Sequence, residues 1–304
     1  MNTTSSIPLH SRERALVLGG GGSTGNAWLI GVLAGLFEAG LDVTDADLTI
    51  GTSAGSTAAA QVAGASPTEL FANILDAVPL QRPAPVGSGA GRASARPVAN
   101  HLDRINKIIA DAQDVADMRR RLGAAALEMD AASDGAWSTQ WRNTVATRLP
   151  SQHWPERAVL ITAVDARTGE PVAFDRHSGI DLVDAIAASC SSGLPYKIGD
   201  NLYLDGGYRS NAENADLAAG YERVLVLSPF GGRSLQPFEW RTHLATQVDE
   251  LRARGSRVET IFPDSNSEHM FGANAMDLSL RPPAAKAGYE QGKTLAGQLT
   301  VFWS

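Results

Sequence analysis

Ser53 stands in Gly51-Thr52-Ser53-Ala54-Gly55, a spacing that lets a chain turn sharply from a strand into a helix with the serine hydroxyl at the apex. A helix N-terminus behind that hydroxyl supplies unpaired N–H groups and a positive dipole end, both favourable to negative charge developing during attack on a carbonyl. A second cluster, Gly19 to Gly25, reads Gly-Gly-Gly-Gly-Ser-Thr-Gly, and backbone N–H groups at Gly20, Gly21 and Gly22 can be aimed at a substrate oxygen. A third, Asp205-Gly206-Gly207, places a carboxylate at a strand end, followed by two residues that permit close backbone approach. Together the three are far more specific than any one of them, and the serine elbow and glycine loop suit nucleophilic acyl transfer with an oxyanion hole.

Each feature also has a plainer reading. A serine between glycines is often an ordinary turn, and Asp-Gly-Gly is a common β-turn tripeptide. Gly20, Gly22 and Gly25 satisfy G-x-G-x-x-G, so a nucleotide-binding oxidoreductase is the rival for the glycine loop. That fingerprint asks for an acidic residue at the end of the next strand, whereas Asp42, Asp45 and Asp47 all precede it and the strand runs into Ser53. A triad would need a histidine after the aspartate, and His243 and His269 are the candidates by order; both read more readily as surface residues, as do His10, His101, His153 and His177. No His, Cys, Asp and Glu cluster has metal-ligand spacing, so neither metal nor cofactor is expected.

The elements that must position these residues alternate between strand and helix. Ala15–Leu18 is a short apolar run of buried-strand type, and Asn26–Ala39 a helix apolar nearly all round, stopped by Gly40. Leu48–Ile50 is a strand leading into Ser53, and Ala54–Ala63 a helix of small residues. Ser66-Pro67-Thr68-Glu69 starts another helix with a cap, a first-turn proline and a capping box. Leu80 to Asn100 shifts to Pro, Gly, Ser, Ala and Arg, the composition of a mobile connection. One amphipathic helix is expected over Leu102 to Leu122, its stripe facing the core in preference to acting as a lid. Arg119-Arg120-Arg121 on it reads as a solvated face more readily than as a lipid-phosphate contact. Strands follow at Ala158–Val164, Pro171–Phe174, Lys197–Ile198, Leu202–Leu204 and Arg223–Leu227, with a helix at Asp181–Ser189. Such alternation predicts a three-layer α/β/α sandwich with a mostly parallel central sheet.

The 304 residues carry a formal charge of −7, against an electrostatic nucleic-acid surface, and 43% hydrophobic content is enough to fill a core. Cys190 is the sole cysteine and reads as a small buried hydrophobe near a helix end. The polar start of the chain has no apolar signal region, and Ala27–Leu41 is too short and too interrupted by Gly31, Gly35 and Glu38 to span a bilayer, so a cytoplasmic protein is expected.

In the order Gly20–Gly25, Gly51–Gly55, Asp205–Gly207, with Ala188-Ser189-Cys190 and Pro195 before the aspartate, the sequence resembles the patatin-like phospholipase family. The resemblance covers about residues 15–211 of what is expected to be a single domain over 1–304. It leaves a loop and helical, lid-like insertion at 80–150 and a mostly helical tail at 228–304 without motifs. It implies a Ser53–Asp205 dyad, an oxyanion hole at Gly20, Gly21 and Gly22, and motif glycines at Gly25, Gly51, Gly55, Gly206 and Gly207. The implied substrate is a lipid ester, met at a membrane or micelle surface. Thr24 departs from the family, which usually has Arg or Lys there, and leaves open a catalytically silent module that binds lipid or a partner.

Overall fold

The computed structural model describes residues 12–77, 95–133 and 135–304. Within them the chain begins β1 (Arg14–Leu18), α1 (Gly22–Glu38), β2 (Leu48–Gly51), α2 (Ala54–Gly64) and α3 (Pro67–Asp76). Three helices follow, α4 (Ala95–Asp111), α5 (Val115–Ala131) and α6 (Trp137–Ala146). Then come β3 (Ala158–Asp165), β4 (Pro171–Phe174), α7 (Leu182–Ser189), β5 (Tyr196–Ile198) and β6 (Asn201–Asp205). The remainder supplies β7 (Arg223–Leu227), α8 (Leu244–Ala253), β8 (Arg257–Ile261) and α9 (Arg281–Trp303).

The strands form one mixed sheet, hydrogen-bonded in the order β5-β6-β3-β2-β1-β7-β8, with β4 on β3. From β3 to β8 every neighbour is parallel, while β4, β5 and β6 pair antiparallel. Helices cover both faces. Leu16 and Leu18 of β1 point into a core with α1, α2, α7 and α9, whereas Ala15 and Val17 meet Leu244, Val248 and Leu251 of α8. This is the period-2 alternation of a strand buried on both sides. The expected α/β/α layering is present, with an antiparallel end added to its parallel part.

The register of β3 fixes the site. Ile161 pairs with Gly51 of β2 and also with Phe174 of β4, so β2 and β4 lie on opposite edges of β3. Ala163 and Val164 pair with both β4 and β6, so β6 lies opposite β4, on the same edge as β2. Running towards each other along that edge, β2 and β6 end on either side of Thr162, which brings Ser53 and Asp205 together from 152 residues apart.

Several elements differ from the sequence expectation. α1 begins at Gly22 and not at Asn26, so the glycine loop is itself the helix start. The amphipathic stripe over Leu102–Leu122 belongs to two helices, separated where Asp114 caps α5 by accepting from the Asp117 N–H at 2.7 Å. Its Ile105, Ile109, Met118 and Leu122 pack inward against Leu202 and Leu204 of β6. The loose connection expected from Leu80 falls outside the described residues as far as 94, and 95–100 are already helix. The tail, expected to be mostly helical, contributes β8, whose polar alternation Arg257-Val-Glu-Thr-Ile261 marks an edge strand. α9 lies against α1 through four small positions. A Cβ on Gly31 or Gly35 would meet the carbonyls of Ala285 or Tyr289 at 2.1 Å, and one on Gly288 or Gly292 those of Trp28 or Val32 at 2.4 and 2.3 Å. These glycines, of which Gly31 and Gly35 also interrupt a membrane-span reading, let two helix backbones touch. Among the described residues no helix is long and apolar enough to cross a membrane.

Candidate active site

Ser53 is the apex of the β2–α2 turn, with φ 52° and ψ −116°, a conformation that side chains other than glycine's rarely hold. The flanking glycines are required by contact. A Cβ at Gly55 would lie 1.9 Å from the Leu18 carbonyl oxygen, and one at Gly51 would lie 2.6 Å from Ser56 Cα. Ser53 Oγ donates to Asp205 Oδ2 at 2.9 Å. Asp205 Oδ1 accepts the Gly207 N–H at 2.8 Å, so both carboxylate oxygens are held. Gly206 packs where a Cβ would strike Thr162 Oγ1 at 2.1 Å.

Burial pushes the Asp205 carboxyl up to about 6, although the bonds from Gly207 N–H and Ser53 O–H act the other way. A carboxylate desolvated in this manner is a stronger base than one in water. No histidine hydrogen-bonds to Ser53 or Asp205 among the described residues. His269 instead sits on the Asn266 carbonyl, and His243 precedes α8 against Phe238.

The glycine loop lies beside the serine: a Cβ on Gly20 would be 3.5 Å from Ser53 Cβ. The structure corrects one expectation here. The Gly20 N–H is already given to the Ala212 carbonyl at 2.8 Å and is not free for an oxyanion. Gly21 and Gly22 begin α1, where first-turn N–H groups have no acceptor within the helix. Gly25 donates to the Gly21 carbonyl at 2.9 Å and closes that turn. Thr24 is buried with its hydroxyl unpartnered, and Arg281 from the start of α9 caps the loop, donating to Ser23 O at 2.7 Å and to Asn26 Oδ1 at 3.2 Å. Beneath Gly19, Glu213 is fully buried; it accepts from Ser228 Oγ at 2.6 Å, and burial pushes it up to about 7.

Residues outside the glycine loop, the Ser53 elbow and the Asp205 turn hold the pair in place. Ser189 Oγ accepts the Ser53 N–H at 2.9 Å, and the Cys190 thiol donates to the Ser53 carbonyl at 3.1 Å. The Ser191 carbonyl accepts the Asp205 N–H at 3.0 Å, so one segment after α7 grips both partners. Cys190 is thus more than a small hydrophobe, and burial raises its thiol to about 11. Asn214, itself at φ 57°, donates to Thr52 Oγ1 and to the Gly206 carbonyl, each at 3.0 Å, joining the elbow to the aspartate turn. The arginine run divides: Arg119 is half-buried and clamps the carbonyls of Gly169 and Arg209, while Arg120 and Arg121 pair with Asp117.

A model of the patatin-like phospholipase family matches residues 16–217. The chain belongs to that family. The match spans the glycine loop, the Ser53 elbow and the Asp205 turn, and family membership supports a lipid hydrolase and displaces the nucleotide-binding reading of the glycines. No curated protein matches the chain by sequence. Among solved structures it is similar to VipD from Legionella pneumophila, at 14% identity and TM-score 0.42, covering 96% of this chain and 67% of that one. It is also similar to the type III effector ExoU, at 15% identity and TM-score 0.39, covering 94% of this chain. The ExoU in complex with SpcU from Pseudomonas aeruginosa gives 15% identity and TM-score 0.39 over 95% of this chain. The patatin-like chain spans about half the length of ExoU, 53% in both structures. Among the described residues there is no group of three or more metal-ligating side chains.

Proposed function

We propose that this patatin-like protein is a serine acyl hydrolase of lipid carboxylic esters, working through a Ser53–Asp205 dyad. The observation that carries the reading is the 2.9 Å bond from a serine hydroxyl held at positive φ to a desolvated carboxylate. Asp205 takes the Ser53 proton as Oγ attacks the ester carbonyl, and the oxyanion that forms is met by the N–H groups of Gly21 and Gly22. Collapse returns the proton to the departing alcohol and leaves an acyl-enzyme. Water, deprotonated by Asp205, then releases the fatty acid and restores Ser53. Substrate reaches the site from a membrane or micelle surface that the protein contacts transiently. A panel of phospholipid and acylglycerol esters of graded chain length, hydrolysed by the wild type and by Ser53→Ala, tests the reading. Turnover that vanishes with the hydroxyl supports it; equal turnover by both proteins overturns it.

A further inference from the structure

The glycine loop is held from the far end of the chain. Arg281, the first residue of α9, reaches back 258 residues to the first turn of α1, where its Nη1 donates to the Ser23 carbonyl at 2.7 Å and to Ser23 Oγ at 3.1 Å. Its Nη2 donates to Asn26 Oδ1 at 3.2 Å. The Asn26 amide donates in turn to Gln61 Oε1 at 2.9 Å, on the helix that Ser53 opens. One guanidinium thereby ties the glycine loop to the nucleophile's own helix. Pro282 and Pro283 fix the backbone of the turn from which it projects. The same part of the chain pins the loop a second time, through the Ala275 carbonyl, which accepts the Thr24 N–H at 3.0 Å.

This is an unfavourable place for a cation. Arg281 stands at the N-terminal ends of both α1 and α9, the positive ends of two helix dipoles. Burial, and then the nearby Arg148 charge, hold its guanidinium below the ordinary value. Its three bonds all go to neutral acceptors, and among the described residues no acidic side chain pairs with it. That sets it apart from Arg142, Arg209 and Arg241, each of which has an acidic partner. Holding the loop needs hydrogen-bond donors but not a charge. What offsets the charge is an anion that exists only during the reaction: the oxyanion at the N–H groups of Gly21 and Gly22, the residues just before Ser23.

We propose that Arg281 is a positioning residue of the oxyanion hole: clamped on Ser23 and Asn26, it fixes the first turn of α1 and adds an unpaired positive charge behind the Gly21 and Gly22 N–H groups. The proposal rests on the hydrolase reading and adds to it a residue beyond the family match at 16–217. It is tested with a long-chain trifluoromethyl ketone. Ser53 Oγ bonds to its carbonyl carbon, the carbonyl π pair becomes the oxyanion, and the Ser53 proton passes to Asp205. The methyl ketone of the same chain, which stays neutral, is the control. Both are measured as inhibitors of ester hydrolysis, and the preference, methyl ketone Ki over trifluoromethyl ketone Ki, is taken on each protein so that an inactive fraction cancels. Arg281→Gln is expected to lower the preference roughly tenfold, with kcat falling by a similar factor and KM unchanged. Arg281→Lys, which keeps the charge and a donor for the Ser23 carbonyl, is expected to recover most of the loss. An unchanged preference in Arg281→Gln overturns the proposal, as does a lysine variant no better than glutamine. If Arg281→Gln does not fold, Asn26→Ala, which releases Nη2 and keeps the charge, reads the clamp alone: a preference lowered about threefold supports it and an unchanged one overturns it. Failure of the hydrolase reading is seen separately, as wild-type protein that hydrolyses no ester.

Discussion

Replacing Asp205 by asparagine should inactivate the protein and stabilise it. The carboxyl is 7% exposed and burial holds it at about 6, against 3.8 for an ordinary aspartate. The sign follows from where the proton sits. Between those two values the native chain keeps a proton that the unfolded chain releases, so stability falls as pH rises through the window. Above about 6 the ionised carboxylate costs the fold about 3 kcal/mol, as an upper figure from the difference between the two values. Asparagine is uncharged and nearly the same shape. Its oxygen can still accept the Gly207 N–H, and its amide can donate to Ser53 Oγ, so neither position need lose a hydrogen bond. For a chain of this length 3 kcal/mol corresponds to roughly 5 °C in Tm. The assay is urea and thermal unfolding of wild type and Asp205→Asn at pH 8 and pH 4.5, taken as the difference between the proteins so that other groups, Glu213 among them, cancel. A stabilisation at pH 8 that shrinks at pH 4.5, with ester hydrolysis reduced by about a hundredfold or more, is expected. A destabilised variant, or a gain indifferent to pH, refutes the claim that Asp205 is a desolvated base.

Further expectations follow from the same geometry. Because the base must be ionised to accept the Ser53 proton, kcat/KM should rise with pH through about 6 and then level off; a profile flat from pH 5 to 8 would contradict this. Gly55→Ala forces a methyl group onto the Leu18 carbonyl and should lower stability by about 3 kcal/mol or more. Gly297→Ala, an exposed position in α9 with open space around it, should raise stability by about 0.5–1 kcal/mol, and urea unfolding of the two variants separates contact from propensity. Cys190, its thiol raised to about 11 and bonded to the Ser53 carbonyl, should resist iodoacetamide at pH 8 in the native protein and react once urea unfolds it.

The proposed site is legible in the sequence where its geometry depends on neighbours along the chain. Gly51 and Gly55 report the crowding around a single turn, and Ser53 follows, and Asp205 ends, a strand that the residue pattern reveals. What holds them is not local. Ser189, Asn214 and the Ser191 carbonyl act across a fold that must first exist, and only the Ala188-Ser189-Cys190 likeness pointed to that segment. Gly20 shows the reverse case: a motif glycine whose N–H, by its type and place an oxyanion donor, is taken by Ala212. The meeting of β2 and β6 at Thr162 depends on register, which hydrophobic pattern does not encode at this distance. β8 leaves no strand signal in the sequence, because an edge strand with Glu259 and Thr260 half-exposed lacks an apolar run. The α1–α9 contact did leave a signal, in glycines four apart at 31 and 35 and again at 288 and 292.

Covalent trapping reports on Ser53 as the nucleophile and Asp205 as its base. Wild type, Ser53→Ala and Asp205→Asn would be treated with a fluorophosphonate, digested and read by mass spectrometry. One adduct is expected, on Ser53, absent from Ser53→Ala and forming far more slowly in Asp205→Asn. An adduct on another residue, or labelling of Asp205→Asn at the wild-type rate, contradicts it.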